Sequence, residues 1–215
     1  SHARIAREVV AQGYAAFRFD RRGIGDSEGE NGGFASSAPD IAAALAAFRA
    51  AVPAMARVVA HGNCDAASAL MLARGEGTDA LVLSNPWTFE EENAGPSVKA
   101  LRAHYKKRLM SFAALERLLT GKVSLTNLVQ SLVKATRPAP PPAPLVKQLE
   151  QGLEAYQGPV RLLIATEDYT AQAFMGVWNT RDERLASCKG ATHCFVEPHA
   201  KLWLVEQIVD ALKAG

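Results

Sequence analysis

Cysteine is scarce in this chain of 215 residues, with Cys64, Cys188 and Cys194 its only three. A small odd number cannot build a disulfide framework, so a reducing, cytoplasmic compartment is expected and at least one thiol needs another explanation. An excess of charge is lacking too. The 24 Lys and Arg against 22 Asp and Glu leave +2, which gives no general case for nucleic-acid binding. No apolar run approaches the roughly 18 residues that span a bilayer. The spacing of Cys and His fits no zinc template, so neither metal nor cofactor is expected. The chain opens at Ser1-His2-Ala3-Arg4 without an initiator Met, and its natural start is expected to lie upstream.

What is present is globular: 48% hydrophobic and 21% charged residues. That size suits one domain, or one domain with a modest insertion. Residues 2–12 read as an amphipathic helix, 14–19 (YAAFRF) as a short buried strand, and 20–27 as a turn-rich loop. A helix over 39–51 follows, then a strand at 57–61, a helix at 65–74 and a strand at 80–86. Strands alternating with helices predict right-handed crossovers over a parallel sheet. From Trp87 to about Gln157 the text turns helical (96–109, 111–119, 124–135 and 144–156), broken by the proline-rich stretch 137–144. A strand at 160–166 and a helix over about 199–213 resume the alternation. The expectation is therefore a core over 1–87 and 158–215 with a helical cap over 88–157. The cap segment carries ten Lys or Arg against six acids. Solvated helix faces explain most such runs. The sharper alternatives are an anionic substrate and, less favoured, a membrane-facing cap.

The most specific local feature is His61-Gly62-Asn63-Cys64-Asp65-Ala66-Ala67, between a strand and a helix. It matches the nucleophile elbow Gly-x-Ser-x-Gly with Cys for Ser and Ala66 for the second Gly. A tight strand-to-helix turn needs small neighbours, and Gly62, Ala66 and Ala67 supply them. The helix N-terminus favours a thiolate, and the N–H of Asp65 can bind an oxyanion. The competing reading is a buried Cys acting as a small apolar residue.

An elbow nucleophile wants an acid and then a base, in that chain order. Asp168 follows the strand at 160–166, with Glu167 as an adjacent rival and helix capping as a second possible role. His193 lies in a loop before the last helix, whereas His61 is expected to be structural and His104 and His199 sit in helices. In this scheme His193 takes the thiol proton while Asp168 orients the imidazole. Asn63 and Trp87 are the expected substrate-binding neighbours. Cys188 is expected in the core or on the surface, and Cys194 facing away from His193.

These residues resemble the α/β-hydrolase superfamily and, within it, the exosortase A system-associated hydrolases of the hydrolase 1 type, a bacterial group. The anchors are Phe19-Asp20-Arg21-Arg22-Gly23-Ile24-Gly25-Asp26-Ser27, Gly62-Asn63-Cys64-Asp65-Ala66-Ala67-Ser68 and Leu83-Ser84-Asn85-Pro86-Trp87. Tyr105-Lys106-Lys107-Arg108-Leu109, Asp168-Tyr169-Thr170-Ala171 and Gly190-Ala191-Thr192-His193 complete them. The resemblance implies a Cys64–Asp168–His193 triad, a helical cap and a link to exopolysaccharide and exosortase systems. It also implies three strands before the first helix, with the loop after the third supplying a second oxyanion donor; about 25–45 residues are expected to be missing. The expected function is hydrolysis of an ester or thioester of a small, amphipathic or anionic acyl substrate. The alternatives are an acyltransferase on the same triad and a catalytically silent binding partner.

Overall fold

The computed structural model describes residues 2–89 and 144–214. Four strands form one sheet in the order β1 (Val59–Asn63), β2 (Ala80–Ser84), β3 (Val160–Ala165) and β4 (Leu185–Cys188), every neighbouring pair parallel. Parallel neighbours need crossovers, and helices supply them. α1 (His2–Ala11) and α2 (Ala38–Ala51) precede β1, and α3 (Asp65–Leu72) joins β1 to β2. α4 (Pro144–Ala155) leads into β3, α5 (Tyr169–Val177) joins β3 to β4, and α6 (Pro198–Lys213) follows the sheet.

The alternation of side chains along β2 and β3 sorts the core into two layers. Val82, Leu163 and Ala165 meet Ile5 and Val9 of α1 and Leu204 and Ile208 of α6. Leu81, Leu83, Leu162 and Ile164 face Ala67 and Met71 of α3, Leu149 and Leu153 of α4, and Phe174 of α5. With both faces covered, all five residues of β2 are buried, which is why the run ALVL is apolar throughout, with Ser84 buried at its end.

Two expectations are corrected. Residues 14–19 join no ladder among the described residues. The segment has no β-branched residue, and Phe17 and Phe19 stand 43% and 46% exposed rather than buried. Helix α4 was expected in the cap, yet it is a core helix. Val146, Leu149 and Leu153 are buried, and Gly152 lies so close to α3 that a Cβ there would collide with the Met71 carbonyl. Residues 144–155 therefore pack with the core rather than with a cap reaching to 157. The helices expected at 96–109, 111–119 and 124–135 lie outside the described residues. Among those described, no helix is long and apolar enough to cross a membrane.

Candidate active site

Strand β1 delivers Cys64 directly into α3. Cys64 takes φ 61° and ψ −123°, a left-handed conformation that costs a non-glycine residue on the order of 1–3 kcal/mol. The surroundings hold it there. Its N–H donates to the Ser84 carbonyl at 2.9 Å, and its carbonyl accepts from Ala67, Ser68 and Trp87 at 3.1, 3.2 and 3.3 Å. Ala67 and Ser68 are thereby occupied. The N–H groups of Asp65 and Ala66 are among the first-turn donors that a helix cannot satisfy itself. The Asp65 carboxylate is turned away to Arg21, 3.0 Å distant.

Asp168 ends the β3 turn and does two jobs. Its Oδ2 accepts the Ala171 N–H at 2.9 Å, capping α5, and its Oδ1 lies 3.0 Å from His193 Nδ1. Capping and orientation are rival expectations; the structure shows the cap and puts the other oxygen of the same carboxylate against the imidazole. Glu167 is exposed, whereas Asp168 is 7% exposed. The loops bearing acid and base are laced together. Thr166 and Glu167 donate backbone N–H groups to Cys188 and Ala191 at 3.2 and 2.9 Å, and Gly190 N–H donates to Thr166 Oγ1 at 2.9 Å. Glu197 accepts both the Thr192 hydroxyl and its N–H at 2.6 and 3.2 Å.

His193 therefore bridges two groups. Nδ1 faces Asp168, and the Cys64 side chain is close enough to act on the imidazole. Its pKa is pushed up from 6.5 to about 10, first by the Asp168 carboxylate and then by Cys64, against the opposing effect of burial. The three candidates Cys64, Asp168 and His193 thus lie together. His61 is structural: half-buried, its Nε2 lies 3.2 Å from Ser84 Oγ, and desolvation lowers its pKa to about 4. Cys188 is buried and Cys194 exposed.

Asn63 is half-buried, and its carboxamide donates to the His193 carbonyl at 3.3 Å and accepts from Asn85 at 3.1 Å, so it braces the scaffold beside Cys64. Trp87 stands next to the elbow through its backbone. Its indole N–H donates to the Phe89 carbonyl at 2.8 Å, and its ring packs edge-on to Phe89, which stacks on Tyr169 beside Asp168. Sequence reasoning missed Arg21, the partner of Asp65, and Asn85, buried at the end of β2. Both lie inside motifs quoted for the resemblance. No group of described residues could hold a metal ion.

A family model described as serine aminopeptidase, S33, matches residues 1–137. No curated protein matches the sequence. Among solved structures, a monoacylglycerol lipase from Paleococcus ferrophilus is 16% identical with a TM-score of 0.56, the match covering 98% of this chain and 89% of the lipase. An esterase from Pyrococcus furiosus is 15% identical with a TM-score of 0.56, over 98% of this chain and 73% of the esterase. An esterase domain from a Rhodothermus marinus protein gives 16%, 0.51, 99% and 78%. At these identities the likeness is one of fold, and that fold is the α/β-hydrolase fold.

Proposed function

Because the chain belongs to the S33 serine aminopeptidase family of α/β hydrolases, we propose that it hydrolyses an ester or thioester bond through a Cys64 acyl-enzyme. One observation carries the reading: His193 joins Asp168 to a cysteine at a strand-to-helix elbow. The family is named for serine, and position 64 is Cys. The nearby serines are poor substitutes. Ser68 and Ser84 are fully buried, and their hydroxyls are engaged with the Trp87 carbonyl and His61.

In this mechanism Cys64 Sγ attacks the acyl carbon while its proton resides on His193. The tetrahedral oxyanion meets the N–H of Asp65. The bond to the leaving oxygen or sulfur breaks, and His193 Nε2 supplies its proton. Water then gives a proton to His193 as its oxygen attacks the thioester carbon. The free acid departs, Sγ leaves as thiolate, and the pair is restored. A thiolate leaves more readily than an alkoxide, which favours thioesters, lactones and activated esters. The excess of Lys and Arg over 88–157 supports an amphipathic, anionic acyl group. A place in exosortase-associated exopolysaccharide systems rests on the motif resemblance and belongs to the same proposal.

The test labels the full chain with an activated thioester or fluorophosphonate probe and maps the adduct. One adduct on Cys64, abolished by His193→Ala, is expected; labelling shared with Cys194 and indifferent to His193 would sink the reading. Product analysis with an added hydroxyl or amine acceptor then separates hydrolysis, which yields free acid throughout, from acyl transfer.

A further inference from the structure

We propose that Asn85 is a positioning residue, whose single buried carboxamide sets the backbone of His193 against the strand ends that carry Cys64 and Asp168. This inference rests on the Cys64–His193 reading above. Asn85 is completely buried at the C-terminal end of β2. Its Oδ1 accepts the N–H of Ala165, the last residue of β3 and three before Asp168, at 2.9 Å. Its Nδ2 donates twice, to the His193 carbonyl at 3.1 Å and to Oδ1 of Asn63, which precedes Cys64, at 3.1 Å. Asn63 in turn donates to the same His193 carbonyl at 3.3 Å.

The His193 carbonyl thus receives two amide donors from neighbouring strand ends. That matters because His193 has no ladder of its own. Strand β4 stops at Cys188 and α6 starts at Pro198, and the imidazole is 38% exposed, so beyond the bonds at Gly190, Ala191 and Thr192 no strand pairing holds His193 itself. A carboxamide offers two donors and an acceptor in one plane, and every one of these is used. Its backbone helps: φ is 47°, a left-handed conformation that asparagine tolerates better than most residues. The side chain is therefore aimed back across the sheet ends instead of along the strand.

Alkylation of Cys64 by iodoacetamide across pH, with Cys194 as internal reference, reads this without a substrate. Asn85→Gly keeps the backbone conformation and deletes only the carboxamide. Its Cys64 rate at neutral pH is expected to fall about tenfold or more, because small misplacements of a reacting group are costly, and its pH profile should move toward that of His193→Ala. Asn85→Asp retains the acceptor for Ala165 and loses the amide donors, so it should fall as well; a residue that merely fills space would tolerate it. Added to His193→Ala, Asn85→Gly should change nothing further. Should the Asn85 variants fail to fold, Asn63→Ala removes one of the two donors and is expected to give a smaller change in the same direction. Profiles within twofold of the parent in folded Asn85→Gly and Asn63→Ala, with His193→Ala still slow, would overturn the positioning role alone. A His193→Ala chain as reactive as the parent would overturn this role and the nucleophile–base reading together.

Discussion

A Cβ on Gly62 would stand 2.6 Å from the carbonyl carbon of Ala66. The strand before the nucleophile and the helix after it are packed backbone to backbone, and the missing side chain is the space the elbow occupies. Gly62→Ala should force the first turn of α3 outward, destabilising the fold by about 1–3 kcal/mol. It should also lower probe labelling of Cys64. Thermal unfolding and adduct yield measure the two effects, and a normal elbow in Gly62→Ala would contradict the packing described.

Asp168→Asn separates the two roles of that carboxylate. Asparagine can still accept the Ala171 N–H and cap α5, so unfolding should change little. The charge that favours imidazolium is lost, and the tautomer of His193 is no longer enforced. Acylation of Cys64 should fall by roughly 10²–10⁴-fold, read as the rate of probe labelling beside a circular-dichroism melt. Equal losses in capping and rate would mean that Asp168 serves the helix alone.

The same ion pair makes stability depend on pH. Because His193 titrates at about 10 in the folded protein against 6.5 without its partners, folding favours its protonated form. That contribution is complete below pH 6.5 and disappears as pH rises through about 10. The parent protein should therefore melt above His193→Gln near pH 6, and the gap should close on the alkaline side. A gap that widened with pH would reverse the sign and exclude the pairing.

Gly152→Ala tests the place of α4. Its added methyl would meet the Met71 carbonyl of α3, so α4 must shift and stability should fall by about 1–3 kcal/mol. An unchanged melting temperature would return this helix to the periphery.

Much of this was legible in the sequence because it is written locally. The apolar runs of β2 and β3, the small residues at 62, 66 and 67, and the order Cys64, Asp168, His193 are all linear signals. What escaped notice depends on partners. Residues 14–19 alternate plausibly, but a strand exists only when another strand accepts its hydrogen bonds. The stripe on α4 reads the same whether it covers a sheet or caps a cavity, and only Gly152 against Met71 decides. Asn63 sits beside Cys64, where a substrate contact is the natural guess; its bond to Asn85, 22 residues on, is not written locally. Nothing local marks Asn85 as the hub.

The bond from Asn63 to His193 closes a loop of 130 residues. On a ribosome adding about 5–20 residues per second, Cys64 emerges many seconds before His193, the base that the proposed mechanism assigns to it. Through that interval the thiol has neither His193 nor the His193 loop beside it. In the proposed mechanism the nascent polypeptide is thus chemically quiet by arrangement: its nucleophile is made early, and the base that activates it comes late.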